Sequence, residues 1–148
     1  MRLSGLDISA SALTANRLRM DVIASNMANA DVTRGKLVNG EWVPYQRKLV
    51  SLESKGTPTF SQHLSKEIGK QSELGVRVSQ IANDPTPFKK VYNPTHPDAD
   101  AEGYVLLPNV DTLKEMVDMI SASRSYEANV TVLNATKAMF MKALEIGK

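Results

Sequence analysis

Apolar residues recur at helical spacing at both ends of the chain, whereas the middle is irregular and rich in turn-forming residues. Near the N-terminus, a row of positions three and four residues apart, interrupted by Arg17, comprises Leu3, Leu6, Ala10, Leu13, Met20, Ala24 and Met27. A similar row near the C-terminus, interrupted by Ser123 and Lys137, comprises Met116, Met119, Tyr126, Val130, Leu133, Phe140 and Leu144. Rows of this kind are faces that one helix presents to another. The pattern predicts a long helix at each end, in a protein that works by joining itself to others.

The N-terminal helix is predicted to run from about Gly5 to about Ala30. Ser4 is a suitable N-cap, because Asp7 follows three residues later in the arrangement of a capping box. Alanine is frequent in this stretch, which favours helix and permits a close approach of another backbone. The run Asp31-Val32-Thr33-Arg34-Gly35 is expected to end the helix.

The C-terminal helix is predicted to begin after Asp111, with either Asp111 or Thr112 as its N-cap and Thr112-x-x-Glu115 as a capping box. Neither proline nor glycine follows until Gly147, a favourable residue just past a helix end. A helix of about 35 residues spans roughly 50 Å, which is much longer than the average helix of a globular protein. The middle of the chain is too short to cover it, so this helix needs further partners.

The C-terminal helix also carries a second apolar row on another side, made of Leu113, Val117, Ile120, Ala128, Val132, Ala135 and Met139. Two rows indicate two neighbours, of which one can be the N-terminal helix and the other a separate subunit. Each large apolar side chain buried contributes roughly 1.5–3 kcal/mol, whereas ordering each residue costs roughly 1–2 kcal/mol. Because the N-terminal row contains alanines and Arg17, an intramolecular helix pair on its own is expected to be marginal.

Between the helices, from Lys36 to Asn109, the sequence changes in character, and all seven prolines lie here. Asn39-Gly40 predicts a tight turn, followed by a β-like stretch from Trp42 to Leu52. Residues 53–73 are polar and contain glycine and proline, which predicts a loop or mobile segment. Alternation at Val76 and Val78 predicts a short strand.

These elements predict an α+β fold in which two long terminal helices pack as an antiparallel, coiled-coil-like pair around a small, β-rich and loop-rich middle region. Residues 1–35 form the N-terminal helical part. Residues 36–109 form the middle region, with the mobile loop at 53–73. Residues 110–148 form the C-terminal helical part.

Charge and composition exclude several classes of protein. The 148 residues include 18 basic and 16 acidic side chains, and a formal charge of +2 is too balanced for a protein that tracks nucleic-acid phosphates. The absence of cysteine excludes a disulfide framework, thiolate catalysis and cysteine-ligated metals. The N-terminus lacks the apolar core of a secretory signal, and no apolar run is long enough to span a membrane. We therefore expect no membrane insertion, and any export to proceed without the general secretion signal.

Two weak metal signals are present. Asp98-Ala99-Asp100-Ala101-Glu102-Gly103 imitates the opening of a calcium loop, but Asn109 stands where the bidentate glutamate should be. An acidic turn is the favoured interpretation of this run. His63 and His96 are far apart in sequence without a supporting cluster, so zinc would need carboxylates to complete its ligands. We expect neither a metal nor a cofactor.

The chain has no nucleotide-binding glycine motif, phosphate loop, Ser-x-x-Lys or Gly-x-Ser-x-Gly, so an enzyme is not expected. The unusual polar residues lie within the predicted helices; they are Asn16, Asn26, Asn29, Arg124, Asn129 and Asn134. Asparagine is a mediocre helix former, so its repeated use needs a reason. These side chains either keep the surface soluble or form hydrogen bonds across helix interfaces and fix the register.

The segment Ser25-Asn26-Met27-Ala28-Asn29-Ala30-Asp31-Val32-Thr33-Arg34 resembles the N-terminal signature of the flagellar axial proteins, which form the rod, the hook and the hook-associated structures. The C-terminal stretch resembles the matching end of that superfamily, through Asn109-Val110-Asp111, Glu115-Met116-Val117 and Ile120-x-Ala122-x-Arg124-x-Tyr126-Glu127-Ala128-Asn129. Both motifs are long and lie at the expected ends of the chain.

Tyr92-Asn93-Pro94-x-His96-Pro97-x-Ala99-Asp100-x-x-Gly103-Tyr104-Val105-x-x-Pro108-Asn109-Val110-Asp111 is similar to the small proximal rod proteins of the C type. Pro44-Tyr45-Gln46-Arg47 and the short overall length agree with this subgroup. The axial family often has a Gly-Tyr pair after its Asn-x-Ala-Asn stretch, whereas this chain has Arg34-Gly35-Lys36-Leu37. That departure favours the proximal rod and argues against hook protein or distal rod.

The resemblance implies a structural subunit of the bacterial flagellar basal-body rod that polymerises helically through its terminal helices. Its implied partners are copies of itself, other rod proteins and the junction of the basal-body ring with the export gate. It also implies export by the flagellar type III apparatus without a cleaved signal peptide. The residues expected at the assembly interface are Leu6, Leu13, Met20, Asn26, Met27, Asn29, Met116, Met119, Ile120, Arg124, Tyr126, Asn129, Val130, Leu133 and Phe140.

The main alternative is a soluble coiled-coil adaptor that forms a discrete oligomer. Closed symmetry gives such a protein one stoichiometry, whereas a heterologous interface continues into a filament. The apolar rows alone are compatible with both functions.

Overall fold

The computed structural model describes residues 4–54 and 75–146 of the chain. Within these residues a long helix lies at each end and short strands lie between them. In chain order the elements are α1 (Ser4–Ala28), β1 (Lys36–Val38), β2 (Glu41–Val43), β3 (Lys48–Ser54), β4 (Val76–Asn83), β5 (Lys89–Tyr92), β6 (Tyr104–Leu107) and α2 (Thr112–Ile146). The prediction of an α+β chain with two terminal helices is confirmed.

The described residues divide into two units, each drawn from separate parts of the chain. Unit 1 is drawn from Met1–Arg19, Ser51–Gln80 and Ser121–Lys148, and unit 2 from Met20–Val50 and Ile81–Ile120. Both helices and the β3–β4 pair contribute residues to each unit, whereas the hairpins β1–β2 and β5–β6 belong to unit 2 alone.

The helix bounds agree with the sequence pattern to within two residues. Helix α1 begins at Ser4, which was predicted to be its cap, and ends at Ala28, after which turns bring the amide of Val32 to 3.3 Å from the carbonyl of Asn29. Helix α2 runs from Thr112 to Ile146 without interruption.

The cap of α2 corrects one prediction. Asp111 is the N-cap, because its Oδ1 accepts hydrogen bonds from the amides of Leu113 at 3.1 Å and Lys114 at 3.4 Å. The carboxylate of Glu115 was predicted to complete a capping box with Thr112. Both of its oxygens are instead bound inside unit 2, where Oε1 accepts a hydrogen bond from Arg47 and Oε2 accepts one from Asn26.

The predicted turn at Asn39-Gly40 is confirmed. Strands β1 and β2 pair in antiparallel fashion on either side of it, with Val38 opposite Glu41. Both turn residues have positive φ, 52° at Asn39 and 88° at Gly40, which is the geometry of a two-residue hairpin and the reason why Asn-Gly is favoured there.

The β-like stretch from Trp42 to Leu52 is not one strand. It is split into β2 and β3 by the irregular residues 44–47. Pro44 has no amide to donate to a ladder, and the amide of Arg47 is bound to the side chain of Asn109 at 2.8 Å. The strand predicted at Val76 and Val78 is confirmed as β4, which pairs with β3. Of the predicted mobile loop, residues 55–73 lie outside the described residues.

Strands β5 and β6 form an antiparallel hairpin in which Lys89 lies opposite Leu107 and Tyr92 opposite Tyr104. The two tyrosine rings meet edge to face, with their centroids 5.3 Å apart. Within the connecting loop, Oδ1 of Asp100 accepts hydrogen bonds from the amides of Glu102 at 2.9 Å and Tyr104 at 2.8 Å. The acidic run Asp98–Gly103, in the second half of this loop, is therefore a turn, as the sequence favoured.

The two units have different interiors. The buried side chains of unit 2 include the apolar residues Val22, Ile23, Val105 and Val110 together with the polar residues Asn26, Arg47, Asp84 and Glu115. Among the described residues of unit 1, those that are buried are small; they are Ser9, Ala15, Gly75 and Ala122. Small side chains remove little apolar surface from water, so unit 1 gains little stability from its own interior.

Candidate assembly interface

A fully bonded polar cluster lies in the interior of unit 2, and Asn26 of α1 is at its centre. The amide oxygen of Asn26 accepts hydrogen bonds from the amide of Lys48 at 2.9 Å and the hydroxyl of Tyr45 at 3.0 Å. Its Nδ2 donates to the carbonyl of Lys48 at 2.9 Å and to Oε2 of Glu115 at 3.1 Å. Asn26 is 1% exposed, so every hydrogen bond that it makes replaces one to water. It therefore links the end of α1 to the start of β3 and the start of α2.

Arg47 is the cation of this polar cluster. Its guanidinium donates from Nε to Oε1 of Glu115 at 2.6 Å and from Nη1 to Oδ2 of Asp84 at 3.3 Å. Asp118 lies 3.6 Å from Nη2, at the margin of the cluster. Glu115 is 1% exposed, and such a buried carboxylate is tolerated only with a charged partner and satisfied oxygens. No buried side-chain polar atom in the described part of the chain lacks a hydrogen-bond partner.

Asn109 attaches the chain that precedes α2 to the same cluster. Its side-chain oxygen accepts from the amide of Arg47 at 2.8 Å. Its Nδ2 donates to the carbonyl of Thr86 at 3.0 Å and that of Asp84 at 3.2 Å. Three separate stretches of unit 2 are thereby held at one residue.

Electrostatics keep the cluster charged at neutral pH. Burial by itself lowers the pKa of the Arg47 guanidinium, but hydrogen bonds to Glu115 and its charge, followed by those of Asp84, outweigh burial and raise this pKa. Hydrogen bonds from the amide and the side chain of Thr86, and then from Arg47, lower the pKa of the Asp84 carboxyl. Both effects favour the ionised pair over its neutral form.

A second, more exposed group of charges connects the end of α1 to the β5–β6 loop. Asp98 accepts hydrogen bonds from Nε of Arg34 and from the hydroxyl of Thr33, each at 2.7 Å. The hydrogen bonds from Arg34 and then from Thr33 lower the pKa of the Asp98 carboxyl. Nδ1 of His96 accepts from the amide of Asp98 at 3.1 Å. The side chains that imitated a calcium loop and a zinc ligand thus serve the fold of this loop.

No group of three or more potential metal-ligating side chains occurs within residues 4–54 and 75–146, and His63 lies outside them. In the same residues, no helix is long and apolar enough to cross a membrane.

The second apolar row of α2 is exposed along its length. In unit 2, Leu113, Val117 and Ile120 are 74%, 67% and 61% exposed. In unit 1, the exposed members of the row are Ala128, Val132, Ala135 and Met139. A row of exposed aliphatic side chains on a long helix makes this face a candidate surface for a partner. The sequence predicted two neighbours for α2 without saying which row each covers, and the exposure leaves the second row for the neighbour outside the described residues of the chain.

The first apolar row of α2 is more covered. Its interior members are half-buried; they are Met119, Tyr126, Val130, Leu133 and Phe140. Met116 at the start of the row and Leu144 near its end are exposed by 50% and 69%. The candidate interface residues of this row thus lie partly against the chain itself.

The candidate residues of α1 occupy a partly covered face. The apolar candidates of α1 are half-buried; they are Leu6, Leu13, Met20 and Met27. The most buried positions of the helix lie on a neighbouring stripe that includes Ala15, Val22, Ile23 and Asn26. Because this stripe contains Ser9, Ala15 and Asn26, the apolar pattern alone did not identify it.

The polar candidates differ in their surroundings. Asn26 donates across from α1 to α2, as proposed for residues that fix register. Asn29, just past the end of α1, and Asn129 of α2 each donate at 2.8 Å to the carbonyl four residues earlier in the chain. Arg124 is exposed, with Nη1 3.4 Å from a carboxylate oxygen of Glu127.

Sequence reasoning did not assign a role to Arg47 or Asp84, and it assigned the carboxylate of Glu115 to a capping box instead of this cluster. A signal was nevertheless present, because the motifs that carried the resemblance contain Asn26, Tyr45, Arg47, Asn109 and Glu115. The structure shows that these residues meet in one polar cluster. Motif residues from distant segments were therefore a clue to a shared buried site.

Comparisons with known proteins agree at both ends of the chain. Residues 6–35 match the family described as flagella basal body rod protein, and residues 101–146 match the family described as flagellar basal body rod FlgEFG protein C-terminal.

Whole-length relatives give the same result. The flagellar basal-body rod protein FlgC of Bacillus subtilis (strain 168) is 63% identical over 145 residues, which cover 97% of this chain and 96% of the relative. FlgC of Yersinia enterocolitica is 48% identical over 142 residues, which cover 96% of this chain and 95% of the relative. FlgC of Borreliella burgdorferi is 42% identical over 153 aligned positions, which cover 97% of this chain and 95% of the relative.

Proposed function

The chain belongs to the FlgC family of flagellar basal-body rod proteins and is a structural subunit of that rod rather than an enzyme; on this premise, we propose that its terminal helices form the assembly surface between subunits. The candidate residues are those of the two apolar rows and the polar positions Asn29, Arg124 and Asn129 beside them. Asn26 was also predicted at the interface, but it is 1% exposed and bound within unit 2, so it supports the surface from inside. The family relationship does not favour the alternative of a discrete coiled-coil adaptor.

The observation that carries the proposal is the exposed second row of α2. A helix of 35 residues that carries a row of aliphatic side chains more than half exposed to water is unusual in a monomeric protein. Burying this row against another subunit removes its side chains from water, at roughly 1.5–3 kcal/mol for each large one. The described part of unit 1 buries only small residues and leaves this row exposed, so burial of the row requires another subunit.

The first row of α2 is proposed to pair with α1 in antiparallel fashion. In unit 1, a Cβ built on Gly5 lies 3.9 Å from Cγ2 of Thr136. In unit 2, Asn26 binds Glu115. Gly5, near the start of α1, is therefore close to Thr136, in the second half of α2, and Asn26, near the end of α1, is bound to Glu115 at the start of α2. This order supports an antiparallel pair.

The proposed partners are copies of the chain, other rod proteins and the junction between the basal-body ring and the export gate. We also propose export by the flagellar type III apparatus without a cleaved signal. A unit 1 that is ordered mainly by its neighbours defers the entropy cost of its helices until assembly, which suits a chain exported in a largely unfolded form.

The proposal is tested with Val132→Asp, which places a charge on the second row in unit 1. The side chain is 53% exposed, so the isolated subunit should keep its helix content and its melting temperature. Loss of about 1.5–3 kcal/mol for each contact should weaken association by about tenfold or more. We expect a strain that carries only this variant to form no rods and not to swim.

Thr131→Asp is the matched control, because it adds the same charge at an exposed neighbour that belongs to neither apolar row. It should assemble and support swimming. Normal rods built from Val132→Asp would contradict the proposal.

A further inference from the structure

A second apolar surface lies in unit 2, away from the helical rows in sequence, and it has a different chemistry. Trp42, Pro44, Tyr104 and Leu106 line an open surface cavity of about 160 Å³, together with the carboxylates of Asp98 and Asp100. Trp42 is 55% exposed and Leu106 is 47% exposed. We call this surface the aromatic groove.

The local structure explains why these side chains are outside. In β6 the side chains alternate, so that Val105 is 2% exposed while Tyr104 and Leu106 share the opposite face. Trp42 lies on β2, the second strand of the short β1–β2 hairpin. A large aromatic ring next to an aliphatic side chain on the surface is typical of the centre of a protein interface.

The charge at the aromatic groove is acidic and partly available. The Asp98 carboxylate is already bound by Arg34 and Thr33. At Asp100, Oδ1 accepts hydrogen bonds from two loop amides, whereas Oδ2 lies 3.7 Å from the Lys90 ammonium. That ammonium also lies over the Tyr104 ring, 4.5 Å from its centroid. Because the Asp100 side chain is 47% exposed, Oδ2 is open to a second cation beside Lys90. A partner with a cation beside apolar side chains would therefore fit this surface better than an acidic one.

The start of the second row on α2 has that complementary chemistry. Leu113, Val117 and Ile120 project from successive turns, and Lys114 lies three residues before Val117 on the same side of the helix. Within the described residues, no ion pair holds the Lys114 ammonium. Unit 2 thus presents two exposed apolar surfaces that are flanked by opposite charges.

A polymerising subunit needs two different surfaces, because a surface that pairs with itself closes a dimer whereas a heterologous contact can continue. We propose that the aromatic groove of one subunit receives the Leu113–Ile120 portion of α2 from a second copy, with Lys114 facing Asp100. This inference rests on the proposed function and deepens it, since it names the surface that covers part of the second row.

The chain provides its own probe, because Trp42 is its single tryptophan. When the full-length protein is concentrated until sedimentation shows association, Trp42 emission should shift to shorter wavelength and acrylamide quenching should fall. Val117→Ser and Lys114→Gln should each reduce these changes at equal concentration. Association of the wild-type protein with unchanged emission and quenching would overturn the inference and leave the helix-based proposal standing.

A thiol experiment identifies the two surfaces directly, because the natural chain has no cysteine. Leu106→Cys and Val117→Cys proteins, one of them carrying a mass tag, are mixed in equal amounts and oxidised. We expect the mixed disulfide dimer well above the share that random pairing gives, and a drop when Asp100→Asn or Lys114→Gln is added. Asp100→Asn keeps the acceptor oxygen for the loop amides while it removes the charge.

Thr131→Cys is the control for collision, and it should give the random share with Leu106→Cys. Predominant Val117→Cys homodimers would show a self-complementary row, and random pairing throughout would show that another rod protein or no protein covers the groove; either result overturns the inference. If Val132→Asp blocks assembly while the wild-type pairing is random, only this inference fails.

Discussion

At the scale of the residue, environment decides what a side chain does. Asn26 and Asn129 lie on long helices and Asn29 directly follows the end of α1, yet only the first is 1% exposed and binds two other segments. The other two bind carbonyls four residues earlier in the chain. Local sequence cannot separate these cases, because each asparagine lies among similar neighbours on or next to a helix. The distinction arises from what the fold places opposite each side chain.

The replacement Asn26→Ala should strongly destabilise unit 2. It leaves Oε2 of Glu115 and both backbone groups of Lys48 without their partner, and each buried unsatisfied group costs about 1–3 kcal/mol. We expect a loss of about 3 kcal/mol or more in the free energy of unfolding, measured by urea titration with Trp42 fluorescence.

Asn129→Ala serves as the comparison, because that amide binds only within its own helix. Its effect should stay within about 0.5 kcal/mol. Equal losses in the two variants would refute a special role for the Asn26 site.

Asp98 should make stability depend on acid pH. Its pKa is lowered in the folded protein by hydrogen bonds from Arg34 and then Thr33, so the ionised form is favoured by folding. The stabilisation is therefore complete above the ordinary aspartate pKa of about 3.9, and it is lost as the pH falls through the lowered folded value. Asp98→Asn should thus lower the urea midpoint at pH 7. The difference from wild type should shrink as the pH falls below the ordinary aspartate pKa and should close once the pH is below the lowered pKa of folded Asp98.

Asp31→Asn is the control for a general charge effect, because it removes an exposed carboxylate from the same connection. It should leave the midpoint nearly unchanged at both pH values. A difference between wild type and Asp98→Asn that persists undiminished in acid would contradict the assignment.

At the scale of the element, the helices are local products of sequence, whereas the joints between elements depend on distant backbone. The connection after α1 shows this. The amide of Gly35 donates to the carbonyl of Val43 at 2.9 Å, and the amide of Tyr45 donates to that of Val32 at 3.1 Å. The strand stretch therefore folds back on the end of α1, and no local signal in either segment predicts that contact.

Gly35→Ala should disrupt this joint. A Cβ at Gly35 would lie 2.6 Å from the amide nitrogen of Tyr45 and 2.9 Å from the carbonyl carbon of Pro44, and backbone atoms cannot move aside cheaply. Such overpacking lowers the free energy of unfolding by about 1–3 kcal/mol, which a lower urea midpoint would reveal.

Gly5→Ala is the matched control on α1, because its nearest neighbour is at an ordinary contact distance of 3.9 Å. Alanine favours helix over glycine by about 0.5–1 kcal/mol, so this variant should be neutral or slightly stabilised. A Gly35→Ala protein as stable as Gly5→Ala would show that the joint adapts.

At the scale of the whole molecule, the two units depend on their own chain to different degrees. Unit 2 contains a charged, fully bonded cluster and several buried valine and isoleucine side chains. The described residues buried in unit 1 are small, and its part of α2 displays an apolar row. For a rod subunit, we expect this division to give one body that is stable on its own and helices that become fully ordered against neighbouring subunits.

Hydrogen exchange of the dilute full-length monomer should reveal this division. Amides near the polar cluster, including those of Arg47 and Asp84, should exchange slowly, whereas amides of α2 beyond residue 128 should exchange much faster. On assembly the amides of α2 beyond residue 128 should become protected from exchange. Slow exchange beyond residue 128 in the dilute monomer would instead indicate a closed intramolecular helix pair.

The sequence by itself determined the α+β class, the two terminal helices, the Asn39-Gly40 turn and the presence of a second apolar row on α2, because these features follow from periodicity and local backbone preference. Motif residues also identified the axial family. Only the tertiary structure decided that Glu115 binds Arg47 and Asn26 instead of capping its helix, and that the stretch after Trp42 breaks into two strands. The physical reason is that a buried charge and a bound backbone amide take their partners from segments far away in sequence, and the strength of those contacts exceeds that of the local alternatives.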